Sequence, residues 1–190
     1  ILASLKRQGV NTPIIGMKVN VASSDLYFSH YQLRGGQYQN WTNVTETTLF
    51  SFELTQNTEN LLSVRGVDQA GNIGEVVTVR VVHDAIPPQV AGQPFARDET
   101  SPGSGFARSF PLTWEWTPAS DNFRVDSYQV FVVVDSGDFI LAGSTQVPNF
   151  ALAVATGRSY QVRVQAVDAA GNVGNFSQLS RPIFVDMTNP

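Results

Sequence analysis

The sequence contains no cysteine and almost no lysine, with Lys6 and Lys18 the only two in 190 residues. Without cysteine the chain can form neither a disulfide scaffold, nor a thiolate metal site, nor a cysteine nucleophile. Charged residues make up only 15% of the chain, against about 25% in typical soluble domains. No apolar run reaches the roughly 20 residues that a membrane-spanning helix needs. Membrane insertion is therefore not expected.

The basic residues are few and scattered, and the net charge is −4. Recognition of phosphate groups needs clustered Lys and Arg, and so does electrostatic binding to anionic lipid. The charge pattern therefore predicts neither a nucleic-acid partner nor attachment to an anionic membrane surface. No cofactor is expected.

What the sequence does contain is an internal repeat. Residues 60–75 (NLLSVRGVDQAGNIGE) align with residues 160–175 (YQVRVQAVDAAGNVGN) at an offset of 100, with seven of sixteen positions identical. Each copy is followed by a β-rich run and an exit marked by proline, at residues 81–88 and 184–190. A repeat of this kind predicts two similar modules, which we place at residues 1–86 and 87–190.

Apolar residues alternate with a period of two within each module, as half-buried β-strands require. Only residues 1–8 leave a helical spacing open. Turn residues such as Gly35-Gly36 and Thr156-Gly157 separate the strands. The pattern predicts an all-β fold of two tandem immunoglobulin-like sandwiches. The residues predicted to face the core are Met17, Val19, Val21, Tyr31, Leu33, Phe50, Phe52, Leu54, Leu62, Val64, Val77, Val79 and Val81 in the first module, and Leu112, Trp114, Trp116, Tyr128, Val130, Val132, Val134, Phe150, Leu152, Val154, Tyr160, Val162, Val164 and Ala166 in the second.

Two stretches of the second module carry a family resemblance. Residues 112–132 (LTWEWTPASDNFRVDSYQVFV) and residues 154–172 (VATGRSYQVRVQAVDAAGN) agree in order and spacing with strand B, strand C and the approach to strand F of one domain family. The module resembles a fibronectin type III domain of the kind found in bacterial secreted proteins. The resemblance covers most of residues 87–186. It implies that Trp116 is the core tryptophan and that Tyr160 is the tyrosine-corner residue.

The first module carries a different resemblance. Residues 31–41 (YQLRGGQYQNW) and residues 60–72 (NLLSVRGVDQAGN) are similar to a strand C hairpin and to strand F with its following turn. The module resembles bacterial immunoglobulin-like repeats. It departs from the fibronectin pattern because Asn60 stands where that family has its corner tyrosine, and because no tryptophan lies on its strand B.

The most conspicuous motif is Asp-x-Ala-Gly-Asn, at residues 68–72 and again at residues 168–172. Its oxygens could serve as calcium ligands, or its Asp and Gly could close a hairpin turn. Calcium needs six or more oxygens, and one Asp with one Asn leaves most of that shell unfilled. We interpret the motif as a turn and predict no metal site. His30 and His83 lack a third ligand partner and are expected at the surface.

Aromatic side chains supply the candidate binding residues. Tyr38 and Trp41 follow the Gly35-Gly36 turn among polar neighbours, which predicts an exposed aromatic pair that could bind a ligand. Packing of these rings on the sandwich edge is the alternative. Phe131 and Val133 point outward by alternation, which could mark a contact surface. We expect instead that a neighbouring strand or the segment of residues 89–109 covers them.

No catalytic arrangement is evident, since the sequence has no G-x-S-x-G elbow or similar motif. We expect the chain not to be an enzyme. The leading hypothesis is that the modules are non-catalytic spacer or display units of a larger secreted or cell-surface protein, with the neighbouring domains of the same chain as partners. The alternatives are a glycan- or extracellular-matrix-binding module of a bacterial adhesin or of a polysaccharide-degrading enzyme, and assembly through an exposed strand edge.

Overall fold

The computed structural model describes residues 2–3, 9–20, 26–45 and 49–189 of the chain. Strands, turns and bends make up its regular structure, and none of the described residues belongs to a helix that could cross a membrane. The chain divides into two compact units, Ile1–Ala85 and Ile86–Pro190. The predicted all-β fold of two sandwiches is confirmed.

Within its described residues, the first unit has a three-stranded and a five-stranded sheet. Its strands are β1 (Leu2–Ala3), β2 (Gly9–Val10), β3 (Ile14–Asn20), β4 (Phe28–Gly35), β5 (Tyr38–Val44), β6 (Leu49–Glu53), β7 (Glu59–Asp68) and β8 (Val77–His83). The strand orders are β1-β3-β6 and β2-β8-β7-β4-β5. Because Leu2–Ala3 pairs with β3, the helical spacing left open for residues 1–8 is wrong at these two residues.

The second unit repeats this arrangement strand for strand. Its strands are β9 (Phe95–Ala96), β10 (Phe106–Ala107), β11 (Leu112–Glu115), β12 (Val125–Val134), β13 (Ile140–Thr145), β14 (Asn149–Leu152), β15 (Arg158–Asp168) and β16 (Ile183–Val185). The strand orders are β14-β11-β9 and β10-β16-β15-β12-β13. In each unit the outermost strand of the larger sheet, β2 or β10, pairs in parallel with its neighbour.

The core of the second unit lies between its two sheets and is built from the predicted inward faces. Leu112 and Trp114 are fully buried, and Trp116 is 3% exposed. The Trp116 ring meets the Tyr128 ring edge-on at 5.4 Å. Each buried indole removes roughly 200 Å² from water, so these rings supply much of the hydrophobic stabilisation of this unit. The predicted core position of Trp116 is confirmed.

The core of the first unit follows the same rule of alternation. Its predicted inward residues that are buried are Tyr31, Leu33, Phe50, Phe52, Leu54, Leu62, Val64 and Val81. Tyr31 and Phe50 meet edge-on at 5.4 Å. The prediction for Met17, Val19 and Val21 concerns side chains that lie outside the described part of the structure.

The Gly35-Gly36 turn that joins β4 to β5 requires glycine. Gly35 has φ of 109° and Gly36 has φ of 60°, values that glycine adopts without steric cost. A Cβ on Gly35 would overlap the carbonyl oxygen of Leu61. This turn fixes the register of the hairpin and thereby decides which face each β5 side chain occupies.

In each unit, one side chain near the start of the central strand, β7 or β15, forms a hydrogen bond with the backbone of the loop before that strand. The Tyr160 hydroxyl accepts a hydrogen bond from the backbone N–H of Ala155 at 2.7 Å, which confirms the predicted tyrosine corner. In the first unit Asn60 Oδ1 accepts from the N–H of Thr55 at 2.8 Å, and its Nδ2 donates to the Thr55 carbonyl at 3.0 Å. The asparagine therefore closes the same corner with an amide.

The outer face of the larger sheet of the second unit is partly covered. Val133 is 6% exposed, and the Phe131 ring packs edge-on against Phe176 at 5.1 Å. Phe176 belongs to the segment between β15 and β16, so this segment supplies a ring that covers Phe131. The same segment is fastened to β15 by Ser177 and Ser180, whose Oγ atoms accept backbone N–H groups of that strand at 3.0 and 2.9 Å.

Candidate functional site

The two residues of the predicted aromatic pair lie in β5 but point to opposite faces of the sheet. Residues three apart in a strand alternate in direction. Tyr38 packs against the core, with its ring edge-on to Phe52 at 5.7 Å. Trp41 lies half-buried on the outer face. The structure therefore does not bring the two rings together, and each belongs to a different surface.

Trp41 is part of a fixed polar group that we call the outer platform: Trp41, Arg65, Gln32 and Asn43. The Arg65 guanidinium stacks 4.1 Å from the centre of the Trp41 ring. Arg65 Nε donates to Gln32 Oε1 at 2.8 Å, and Gln32 Nε2 donates to Asn43 Oδ1 at 2.9 Å. Each member holds the next, so the platform presents an aromatic, a cation and two amides in one arrangement.

Tyr38 lines a shallow depression of about 510 Å³ on the first unit. Gln39, Arg34 and Glu59 contribute polar groups to its walls. Arg80 contacts the Glu59 carboxylate at 2.6 Å, and this hydrogen bond lowers the pKa of Glu59 below its usual value. The depression is therefore polar and carries a carboxylate that is ionised at neutral pH.

The Asp-x-Ala-Gly-Asn motif forms the same closed turn in both units. Asp68 Oδ1 accepts from the N–H of Asn72, and its Oδ2 accepts from Asn72 Nδ2, both at 2.7 Å. Asp168 repeats both bonds to Asn172, at 2.8 and 2.7 Å. The predicted turn is confirmed. The hydrogen bonds from Asn72 lower the pKa of the Asp68 carboxyl.

Carboxylates of the second unit could contribute oxygens to a cation. Asp121 and Asp168 each place a carboxylate oxygen within 4.8 Å of the other. The N–H groups of Phe123 and Arg124 bind Asp121 Oδ2, and Asp121 Oδ1 has no hydrogen-bond partner within the described residues. Two carboxylates alone fall short of the six to eight oxygens of a calcium shell.

The two histidines are more buried than the sequence predicts. His83 is 1% exposed, and its Nδ1 accepts the backbone N–H of Asn57 at 3.0 Å. The prediction that His83 is a surface residue is therefore wrong, because β8 turns this side chain inward, where its acceptor fixes the neighbouring loop. His30 is half-buried beside Ser29. Among the described residues, no group of three potential metal ligands includes a histidine.

The second unit contains a cleft that sequence reasoning missed. It has a volume of about 520 Å³ and lies where residues 93–103 pass Trp114, Arg181 and Ile183. We call it the β9 cleft. Its residues come from three separated parts of the chain, so no local motif marks it. The long irregular segment at residues 97–105 is the only signal in the sequence that such an opening exists.

Solved structures, but no family model and no curated protein, resemble this chain. No family model matches the chain, and no curated protein matches it. The structure is similar to the FN1–FN3 domains of chicken CNTN1, with a TM-score of 0.54 and 14% identity over 94% of this chain and 62% of that one. Fibronectin(III)-like modules of Clostridium thermocellum CbhA align with a TM-score of 0.48 and 18% identity, over 95% of this chain and 88% of theirs. The sixth fibronectin type III domain of human fibronectin type III domain containing protein 3 gives a TM-score of 0.43 and 17% identity, over 55% and 92%.

The likeness to the chicken domains confirms the predicted fold. That alignment extends over 94% of the chain and therefore includes both units. The strand orders of the two units are the same, although Asn60 replaces the corner tyrosine in the first. Both units are fibronectin type III-like sandwiches in their topology.

Proposed function

We propose that these two fibronectin type III-like sandwiches are non-catalytic spacer or display units of a larger secreted or cell-surface protein. The supporting observation is that the described residues form the same arrangement of eight strands twice, each time around an apolar core. A unit whose apolar core is made of its own residues is able to fold without its neighbour, so such units can be joined in series. That property suits a chain whose task is to hold other domains at a distance.

The buried polar groups support a structural role because they serve the backbone. Asn60 and His83 hold backbone N–H groups in the first unit. Ser177, Ser180 and Asp168 do the same in the second. A catalytic base or nucleophile needs a free atom that faces substrate. These side chains instead satisfy backbone groups that would be costly to leave unpaired in the interior.

A binding screen on the folded chain tests this proposal. The full 190-residue protein is applied to arrays of polysaccharides and of extracellular-matrix proteins, and bound protein is quantified over a concentration series. We expect no saturable binding on either array. Saturable binding at micromolar concentration would contradict a purely structural role.

The outer platform favours a second candidate function, glycan binding. Aromatic rings supply a flat apolar surface, and amides supply hydrogen-bond donors and acceptors, the combination that sugar rings require. One face of the Trp41 ring stacks on Arg65, and the ring lies beside the Gln32 and Asn43 amides. If the array detects a glycan, Trp41→Ala should abolish its binding, while Tyr38→Ala should leave it in place because Tyr38 lies on the opposite face. Equal loss in both variants would point to a different surface.

A further inference from the structure

The β9 cleft forms where the chain changes sheets. β9 is the outermost strand of the three-stranded sheet, and β10 is the outermost strand of the five-stranded sheet. Residues 97–105 make the crossing, with Gly103 at φ 78° and Gly105 at φ 73°. The opening of about 520 Å³ falls within the range of about 300–1,000 Å³ typical of small-molecule sites.

The walls of the cleft are apolar and stiff. Pro94, Phe95, Pro102 and Ile183 line it. Phe95 is 55% exposed although it adjoins a concave surface. Proline fixes its own backbone dihedral φ, so the backbone at two of the wall residues is restricted before a ligand binds. A preformed wall reduces the conformational entropy lost on binding.

Trp114, one of the residues that line the cleft, carries a buried N–H that has no acceptor within the described residues. Its side chain is fully buried. Trp116 Nε1 is also unpartnered but does not line the cleft. A buried N–H without an acceptor is unfavourable. Because Trp114 is among the lining residues, its indole resonance reports whether the cleft is occupied.

The rim of the cleft carries an arginine that is available to an anion. Arg97 contacts the Glu115 carboxylate at 3.3 Å, and Glu99 Oε2 accepts the N–H of Gly103 at 2.6 Å. Arg181 is exposed, and its guanidinium lies beside Gly103. Within the described residues no carboxylate lies within ion-pair distance of Arg181. A carboxylate at the rim would therefore meet a cation that is not already neutralised.

We propose that the β9 cleft binds a small organic carboxylate with an apolar body, a role that goes beyond the spacer function. The apolar body packs between Phe95 and the two prolines. The carboxylate pairs with Arg181, the lining cation that has no ion-pair partner within the described residues. The same chemistry is carried by a free small molecule and by the C-terminal residue of a peptide.

Nuclear magnetic resonance titration of the full chain tests the proposal. The probes are N-acetyl-phenylalanine and a pentapeptide that ends in phenylalanine with a free carboxylate. Their controls are N-acetyl-phenylalanine amide and the C-terminally amidated peptide. We expect the carboxylates to shift the Trp114 indole resonance and the amides of residues 95–103, with a dissociation constant of about 0.1–1 mM. Response to only one of the two carboxylates would identify the source of the ligand.

Matched variants locate the site. Arg181→Gln should weaken binding about tenfold or more because it removes a charge-assisted pair. Phe95→Ala, at an exposed position, should weaken it without unfolding the unit. Arg108→Gln changes another exposed arginine of the same unit that does not line the cleft, and it should leave binding unchanged.

Three outcomes would overturn the proposal. The first is that neither carboxylate shifts the indole resonance at 10-fold excess over the expected dissociation constant. The second is that the amide controls bind as tightly as the carboxylates. The third is that Arg181→Gln and Arg108→Gln bind equally well while both remain folded by their amide spectra.

Discussion

Asn60 and Tyr160 occupy matching positions in β7 and β15, and each returns a hydrogen bond to the backbone five residues earlier. The two side chains differ in size and chemistry. A tyrosine reaches the backbone with one hydroxyl, whereas the asparagine amide both accepts and donates at Thr55 and also donates to the Thr58 carbonyl at 3.2 Å. The two units therefore share the hydrogen bond at this corner but not the residue type that forms it.

This comparison yields a prediction for the first unit. Asn60→Ala removes three hydrogen bonds and leaves a backbone N–H unpaired, so it should lower the free energy of unfolding by about 2–3 kcal/mol. Tyr160→Phe removes one hydrogen bond and should cost about 1 kcal/mol. Urea denaturation of both variants provides the measurement. Gln56→Ala, at an exposed position of the same unit, serves as control, and an equal effect at residues 56 and 60 would disprove the role of the corner.

A second prediction concerns the buried indole of the second unit. Trp116 is 3% exposed and packs on Tyr128. Trp116→Ala should cost about 3–5 kcal/mol because it removes a large apolar surface and leaves a cavity, a large part of the stability of an ordinary domain. Differential scanning calorimetry should show a much lower Tm for the second unit. Trp41→Ala changes a half-buried indole and should have a smaller effect; an unchanged Tm for Trp116→Ala would refute the core assignment.

At the scale of elements, the turn that follows the central strand of each unit is stabilised by hydrogen bonds from its own Asp and Asn side chains. The Asp68 turn that follows β7 holds an ionised carboxylate against the N–H and the amide of Asn72. These bonds favour the charged form, so the pKa of Asp68 is lower in the folded chain than its usual value of 3.8. The turn therefore links folding to pH in the acid range.

The sign of this linkage can be tested with Asp68→Asn. Because the folded-state pKa is lowered, the stabilisation is fully present above the unfolded value and is lost as the pH falls through the folded value. We expect the variant to have a lower Tm than the native chain at pH 7, with the gap closing as the pH falls below about 4. Asp138→Asn, in an exposed turn, is the control. A gap that stays constant with pH would contradict the assignment.

The outer faces of the two larger sheets also share a device, an arginine stacked on aromatic rings. Arg65 covers Trp41 at 4.1 Å, and Arg163 lies between Phe139 and Phe176 at 3.8 and 3.9 Å. Stacked guanidinium groups shield apolar rings from water while keeping their charge near the surface. This explains how large aromatic rings can lie against the outer faces of both sheets without being fully exposed to water.

For the whole molecule, each unit has its own core and its own closing corner. The second unit buries sixteen residues in one apolar cluster that draws entirely on residues 91–185. A domain with a complete core of its own is able to fold alone. The residues that close its corner, Ala155 and Tyr160, also lie within the unit.

This leads to a prediction about the isolated second unit. A fragment of residues 86–190 should fold cooperatively, with amide chemical shifts for β11, β12 and β15 that match those of the full chain. The measurement is a pair of amide correlation spectra and a thermal unfolding curve. The same fragment with Trp116→Ala provides a destabilised control. A spectrum typical of an unfolded chain for the unmodified fragment would show that the second unit does not fold by itself.

The sequence by itself determined the fold class, the repeat and most of the core. Alternation along a strand is a local property, so the inward positions of Leu33, Phe52, Trp114 and Val164 could be predicted from their neighbours in the chain. The Gly35-Gly36 and Asp-x-Ala-Gly-Asn turns could be predicted for the same reason. The opposite directions of Tyr38 and Trp41 were also within reach of this rule, since three residues separate them.

Only the tertiary structure decided the properties that depend on distant segments. The buried His83 ring accepts the backbone N–H of Asn57, a residue 26 positions earlier in the chain. Phe131 is covered because the segment after β15 packs Phe176 against it. The β9 cleft combines residues from β9, β11 and the approach to β16. Contacts of this kind join residues far apart in the chain, and no periodicity within one strand reports which segment will lie beside it.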